Sequence, residues 1–531
     1  MPESTETPPA PPGFAAGGYP AASANWLTGR RATLVFVGIF LSLVMGALDN
    51  FVVLTALTNI TNDLGSPSGA AFVVSSYLIA STIAIPVFGK LSDILSRRNV
   101  FLVALAVFVA GSILAGLSQN LGDLIVFRGI QGFGNGGFFP VGLAIIGTVF
   151  SPEQRARVTG ILSGVFAIGT VAGPFLGSFI VDHTTWRWVF YVNIPVGVLG
   201  MAVIAGSLGA LRPLKRGTFD ILGAALLSLW VGTFVLPLYE VSQSLWSWTD
   251  ARTIVLLLGS LPLFAGFVYW QLRANNPLVP LRLFSRTIVA ANGAIALLRG
   301  FAFFSLTAIL SIYVGFVLLH NAPGSSDSVR DVLYFLLVPM VVAAGMAGQL
   351  LTRVAYRPLV AFGLGVGSVG FVLLSTVTGT TPIWTFSNGF LPTGGLILPL
   401  IPIGFGIGLT FAATVIAVQF QVPPQEIGAA TSLVTFLQSL GGAIGISLFT
   451  SLYISRATAL QPSVPTGGCA PGSFSPACLT YFQNLTNSNV AALDDVFKIM
   501  LVCVLVAFAF SLMLSGRMPK RAGASPAAGA A

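Results

Sequence analysis

Residues 32–57 read ATLVFVGIFLSLVMGALDNFVVLTAL, an apolar run with one charge in it, the carboxylate of Asp49. A helix crosses the hydrocarbon of a bilayer with about 20 mostly apolar residues, so this stretch predicts a membrane helix that buries an acid. The pattern recurs at 69–89, 99–118, 122–149, 157–181, 188–210, 219–239, 253–272, 287–318, 329–351, 358–378, 389–421, 427–455 and 492–515, which makes fourteen spans. Composition points the same way. Charged residues are 8% of the 531, against about 25% in a soluble globular protein, apolar ones are 55%, and mean hydropathy is +0.90. So few charges cannot cover a surface that faces water, and the expected fold class is an all-α integral membrane protein.

The net charge of +9 does not call for nucleic acid, because basic residues recur singly and in pairs between apolar runs and never gather on one face. That spacing fits the positive-inside rule. An even number of spans puts both termini on one side. With that side cytoplasmic, eighteen of the 25 basic residues fall there and only Arg187, Arg252, Arg330, Arg456 and Lys498 fall outside. The reading is a multi-pass protein of the plasma (inner) membrane with both termini in the cytoplasm. Residues 1–31 are rich in Pro, Ala and Gly and lack the basic start and apolar core of a signal peptide. They predict a disordered cytoplasmic tail.

Three cysteines and two histidines leave little material for a metal site or a thiol enzyme, and no metal or cofactor is expected. Cys469 and Cys478 share the long outer loop 456–491, where they can form a disulfide or remain free thiols. A weak internal repeat divides the chain. Gly89 to Arg98 (GKLSDILSRR) follows the second span, Gly348 to Arg357 (GQLLTRVAYR) follows the tenth, and Gly and final Arg keep the same spacing. The expected organisation is a tail at 1–31, a six-helix bundle at 32–211, a two-helix insert at 212–286, a second six-helix bundle at 287–516, and a cytoplasmic tail at 517–531. Transporters built from such repeats place their substrate site between them.

Nearly all of the sixteen acids lie in tails, loops or the last turn of a span, and Asp49 alone sits deep. It lies about 17 residues into its helix, roughly 25 Å from the cytoplasmic end, while Arg128 lies roughly 10 Å below the outer surface on span four. The two depths agree, so Asp49 and Arg128 are expected to pair. Ionisable groups at mid-membrane mark ion paths or binding sites, and a static bridge that only fixes the helices is the alternative. Arg299, in ALLRGFAFFS of span nine, is too central to reach either surface easily. It can hold a counter-charge, a carbonyl, an anionic part of a substrate, or merely a structural hydrogen bond. Gln131, Asn135 and Gln438 are further polar residues within spans, expected to line a cavity or to join helices. Gly132 to Gly137 (GFGNGG) matches a nucleotide-binding glycine pattern but sits inside a span with no strand before it. These small residues predict close helix packing instead.

Five stretches together resemble the major facilitator superfamily, in particular its fourteen-span drug:proton antiporters. They are LDNFVVLTALTNI in span one, GKLSDILSRR after span two, FRGIQGFGNGG in span four, GTVAGPFLGSF in span five and WRWVFYVNIPVG at span six. The resemblance implies two six-helix bundles joined by a two-helix insert, not an enzyme. It implies Asp49 and Arg128 as the proton-linked pair, and Gly89, Asp93, Arg97 and Arg98 as a cytoplasmic gate. It further implies Gly169, Gly173, Pro174 and Gly177 as the residues that bend and pack span five. Ile94 and Ser96 depart from the usual Arg and Gly of the loop motif, and Gln438 stands where many relatives carry Arg. The expected activity is proton-coupled export of hydrophobic, cationic drugs or toxic compounds by a monomer in the lipid bilayer. Two alternatives stay open: export of lipids, glycolipids or another endogenous metabolite, and a receptor or assembly factor that moves no solute.

Overall fold

The computed structural model describes residues 14–15, 19–20, 27–64, 70–163, 165–209, 217–242, 245–312, 325–351, 354–376, 397–422, 426–460, 462 and 476–514. Apart from a two-residue antiparallel pairing of Phe14–Ala15 with Tyr19–Pro20, the regular structure described is helical. The first half runs through α1 (Gly29–Asp63), α2 (Ala70–Ile94), α3 (Arg97–Leu117), α4 (Leu121–Gly136), α5 (Phe138–Val149), α6 (Pro152–Ser163), α7 (Val165–His183), α8 (Trp188–Tyr191) and α9 (Asn193–Ser207). Next come α10 (Ile221–Ser242) and α11 (Ala251–Arg273). The second half holds α12 (Thr287–Ile312), α13 (Ser325–Leu350), α14 (Tyr356–Leu374), α15 (Ile397–Gln421), α16 (Ile427–Ala459) and α17 (Pro476–Leu512).

Among the described residues, thirteen helical runs are long and apolar enough to cross a membrane. The remaining expected segment, 157–181, is occupied by α6 and α7. Two of the thirteen runs are each built from two helices. Span four breaks at Gly137, where Pro140 has no N–H to return to Gly136 and the Gly137 N–H bonds back only three residues, to Gly134 O. Span six opens with the single turn α8 and restarts at Asn193, with Pro195 in the first turn of α9, where a missing N–H costs nothing. In segment 389–421 the described helix begins at Ile397, with Pro402 inside it, and Pro392 lies outside the described residues.

The two halves repeat one packing scheme. In the first, α1 packs on α7 and α9, α2 on α4, and α3 on α4 and α9; in the second, α12 packs on α16 and α17, α13 on α15, and α14 on α15 and α17. Counting each broken span once, the same pairs of spans meet in both. Lipid tails are as apolar as leucine, so helices in a membrane associate where small residues let backbones approach. A Cβ on Gly169 would collide with Ala47 and one on Gly173 with Phe51, which seats α7 against α1. A Cβ on Gly441 or Gly445 would strike the carbonyls of Leu297 or Phe301, which seats α16 against α12 in the same way. The α10–α11 pair stands apart, with α10 touching α2 and α16 and α11 exposing Val255, Leu258 and Leu261.

Candidate functional site

Asp49 sits on α1 between the levels of Gly169 and Gly173, and only 1% of its surface is exposed. Its Oδ2 accepts from Arg128 Nη1 at 2.6 Å, and its Oδ1 accepts from Gln131 Nε2 and Asn193 Nδ2, both at 2.7 Å. Arg128 Nη1 also donates to Gln131 Oε1 at 2.8 Å, and Ser112 Oγ accepts from both Gln131 and Asn193 at 3.1 Å. The guanidinium lies 4.0 Å from the centroid of the Tyr77 ring. Four helices thus supply one network: α1 the acid, α4 Arg128 and Gln131, α3 Ser112 and α9 Asn193. Every group facing the carboxylate is a donor.

A cavity of about 170 Å³ opens between the halves. The first half contributes Gly46 and Ala47 of α1, Ser81 and Thr82 of α2, and Asn135, Gly136, Phe138, Phe139 and Pro140 around the break in span four. The second contributes Phe304 of α12, Phe411 of α15, and Thr435, Gln438 and Ser439 of α16. Asp49 lies two to three residues beyond these wall positions on α1, so Gly46 and Ala47 face the cavity and the acid does not. Asn135 and Gln438 line the cavity. Gln131 does not; it is fully buried and used up in the Asp49 network. Arg299 also stands outside the lining. It is 3% exposed and reaches the cavity only through Gln438 and Phe411: Nη2 donates to Gln438 Oε1 at 2.6 Å, Nη1 donates to Thr414 Oγ1 at 3.0 Å, and Cζ lies 4.8 Å from the Phe411 ring centroid.

One end of the bundle, rich in Arg and Lys, is drawn together across the halves. Asp93, buried at the end of α2, accepts from Arg97 Nη2 at 3.3 Å and from the backbone N–H of Ala429 at 2.8 Å, in the first turn of α16. An anion there meets unpaired N–H groups and the positive end of the helix dipole. Arg97 Nη1 also donates to Ala144 O at 2.8 Å, while Arg98 donates to Ala205 O within the first half. Neither Gly89 nor Gly428 leaves room for a Cβ, against Ser432 and Asp93 respectively. Gly177 is buried, and the side chain of Pro174 lies outside the described ones. Cys478 is buried and disulfide-bonded, Cys503 is free, and Cys469 lies outside the described residues. Among the described residues no group of His, Cys, Asp or Glu is placed to hold a metal.

Residues 39–446 match the sequence model of the Major Facilitator Superfamily. The chain belongs to the Major Facilitator Superfamily. It is 30% identical to the multidrug transporter protein MdtP of Bacillus subtilis (strain 168) over 80% of this chain and 76% of that protein. It is 31% identical to multidrug resistance protein 3 of the same organism, over 80% of each. An efflux pump of Fusarium sp, LUC4, is 29% identical over 87% of this chain and 81% of its own. Solved superfamily structures share the fold: the human organic anion transporter MFSD10 (TM-score 0.57, 16% identity, 90% of this chain and 100% of that one) and the proton:xylose symporter XylE (TM-score 0.58, 12% identity, 90% and 95%). A superfamily transporter is not an enzyme, and this one is a multi-pass membrane protein.

The superfamily motifs of the sequence name three members of the Asp49 network less clearly than the structure does. Gln131 follows Arg128 by three residues and so shares its helix face, a signal that was available. Asn193 is a lone amide in an apolar run, aimed at Asp49 by the restart of span six. Tyr77 is an aromatic among aromatics until the fold lays it on Arg128. Glu240, one residue beyond the expected end of its span, is a different case: it is fully buried on α10, and neither carboxylate oxygen has a hydrogen-bond partner among the described residues.

Proposed function

We propose that this transporter is a proton-coupled antiporter of the plasma membrane, termini in the cytoplasm, that exports hydrophobic drugs or toxic compounds by alternating access. Its kinship with multidrug transporters and efflux pumps supports export of such compounds. The observation that carries proton coupling is Asp49 itself, an acid within the membrane whose every neighbour is a donor, one turn or less behind a cavity between the two halves. Movement of Arg128 away from Asp49 and back during the cycle would break and remake this buried pair. Asp93 on the first turn of α16 supports a cytoplasmic gate that is closed in this conformer. The cationic charge expected of the substrate has less support, since no carboxylate lines the cavity among the described residues.

The test is purified protein in liposomes that enclose a pH-sensitive dye. A fluorescent lipophilic drug is added under an imposed pH gradient to the parent and to Asp49→Asn. Drug-evoked proton movement is expected to fall roughly 5–150-fold in the variant, the span of a typical coupling free energy, while drug binding persists. Equal proton movement in both proteins would assign Asp49 to structure alone.

A further inference from the structure

We propose that the cavity between the halves selects compounds that carry a carboxylate or an equally strong hydrogen-bond acceptor, through a donor presented by Gln438 and set by Arg299. The proposal rests on reading that cavity as the transport site, and it narrows the charge of what is transported.

The argument starts from Arg299. Among the described residues its guanidinium has no carboxylate partner: one nitrogen bonds Thr414 Oγ1, one bonds Gln438 Oε1, and Nε is buried without a partner. A guanidinium has five donors and no acceptor. It can therefore be met only by oxygen, which fixes the orientation of both neighbours. Thr414 accepts from Arg299 and passes its own hydroxyl proton back to the Thr410 and Phe411 carbonyls, at 2.9 and 3.1 Å. Gln438 must turn its carbonyl oxygen toward Arg299, and its planar amide then carries the NH2 away from the arginine. Away from Arg299 is the cavity, which Gln438 lines. That NH2 has no partner among the described residues.

Among the described residues, Asn135 and Ser439 also line the wall, but of its side chains only Gln438 is hydrogen-bonded to an arginine. Ser81, Thr82 and Thr435 give their hydroxyl protons to carbonyls of their own helices. Gln438 is thus the amide of the wall that an arginine fixes, polarised by a positive charge behind it and held in a low-dielectric setting where that charge is little screened. An acceptor bonds to it; a cation meets like charge. Phe139, Phe304 and Phe411 supply the apolar faces for an aromatic body. An aromatic carboxylic acid combines both features. Gln438 is the group that touches the ligand, and Arg299 is a positioning residue that acts through it.

The test compares two probes with one fluorophore and opposite charge, dansylglycine and N-dansylethylenediamine. Each is titrated at pH 7 into the full-length protein in lipid nanodiscs, with binding read from dansyl fluorescence. The parent is expected to bind the carboxylate at least about tenfold tighter, a difference of about 1.4 kcal/mol. Gln438→Glu pairs with Arg299 and shows its second oxygen to the cavity, so it is expected to reverse the preference. Gln438→Met keeps the bulk, removes only the donor, and is expected to abolish the preference, as is Arg299→Met. Equal affinities in the parent, tighter binding of the ammonium probe, binding of neither, or a parental ratio retained in folded Gln438→Glu or Gln438→Met would each overturn the proposal. No proton gradient is present in these titrations. Loss of drug-driven proton flux with the charge preference intact therefore sinks antiport alone, and the converse sinks only the acceptor site.

Discussion

The seam between α1 and α7 and the seam between α12 and α16 join the first and fifth spans of their halves, and each is closed by glycines that admit no Cβ. Each also buries an ionisable group on its first span. In the first half that group is the acid Asp49, answered by Arg128 on span four at 2.6 Å. In the second it is the base Arg299, and the corresponding fourth span answers with the hydroxyl of Thr414. The repeated backbone has fixed where a polar group can be buried and left its sign free. One half closes its charge account internally as a neutral pair. The other holds a positive charge with only neutral acceptors around it, and it does so beside the cavity. Similar folds can therefore give one half a coupling role and the other a recognition role without any change in architecture.

The largest expected difference between the seams is the stability lost with each arginine. Arg128→Met strands a carboxylate that is 1% exposed, and breaking a buried pair in this way costs about 3–5 kcal/mol. Arg299→Met strands no charge and is expected to cost less than about 1 kcal/mol, or to stabilise, since apolar replacement of a buried ion is often neutral or better. Thermal unfolding of both variants in detergent checks this, with Asp49→Asn/Arg128→Met restoring most of the first loss. Comparable melting temperatures for the two single variants would erase the distinction.

A smaller effect is expected outside both seams, at Glu240. Among the described residues its two oxygens are buried and unpartnered, and leaving polar atoms in that state costs about 1–3 kcal/mol. Glu240→Met is therefore expected to raise the melting temperature, and a fall would show that the acid has a partner in the membrane. The smallest effect lies at the C-terminal end of α1. Hydrogen bonds from Trp186 Nε1 at 2.8 Å and Arg187 at 3.2 Å hold Asp63 below the usual carboxylate range. A depressed carboxylate contributes stability above its unfolded value of about 3.9 and loses it as pH falls through the lower folded value. The difference in melting temperature between the parent and Asp63→Asn is expected to hold from pH 8 to 5 and to shrink only below about pH 4. A difference that vanished between pH 7 and 5 would contradict this assignment.

Much of this was legible in the sequence because the bilayer makes it so. A span must be long and apolar, and a charge inside one is costly enough to stand out, so segment positions and the Asp49–Arg128 pairing follow from hydropathy and depth alone. What stayed hidden was set by backbone breaks. Asn193 meets Asp49 because span six restarts at Asn193 itself, and nothing in its apolar surroundings announces that restart. Glu240 looked like the first polar residue after a span, but α10 continues to Ser242 and the chain folds back, with Leu245 and Trp246 donating to the Glu240 carbonyl. The glycines of GFGNGG were legible as packing residues but not as to partner. Gly132 faces Tyr77 of α2 while Gly134 faces Phe108 of α3, so alternate residues of one motif bind span four to two different neighbours.

The hold of Asp93 on the first turn of α16 has a kinetic consequence. It joins a side chain of one half to the backbone of the other, at a place closed to solvent, so dissolved ions screen it far less than they screen charges at the surface. Closure at this end is therefore a threshold event: the carboxylate is either on the helix or off it, and each 1.4 kcal/mol in that contact is worth about a factor of ten in the ratio of closed to open molecules. In the proposed gate this contact would respond little to ionic strength, which is left to act on charges at the surface.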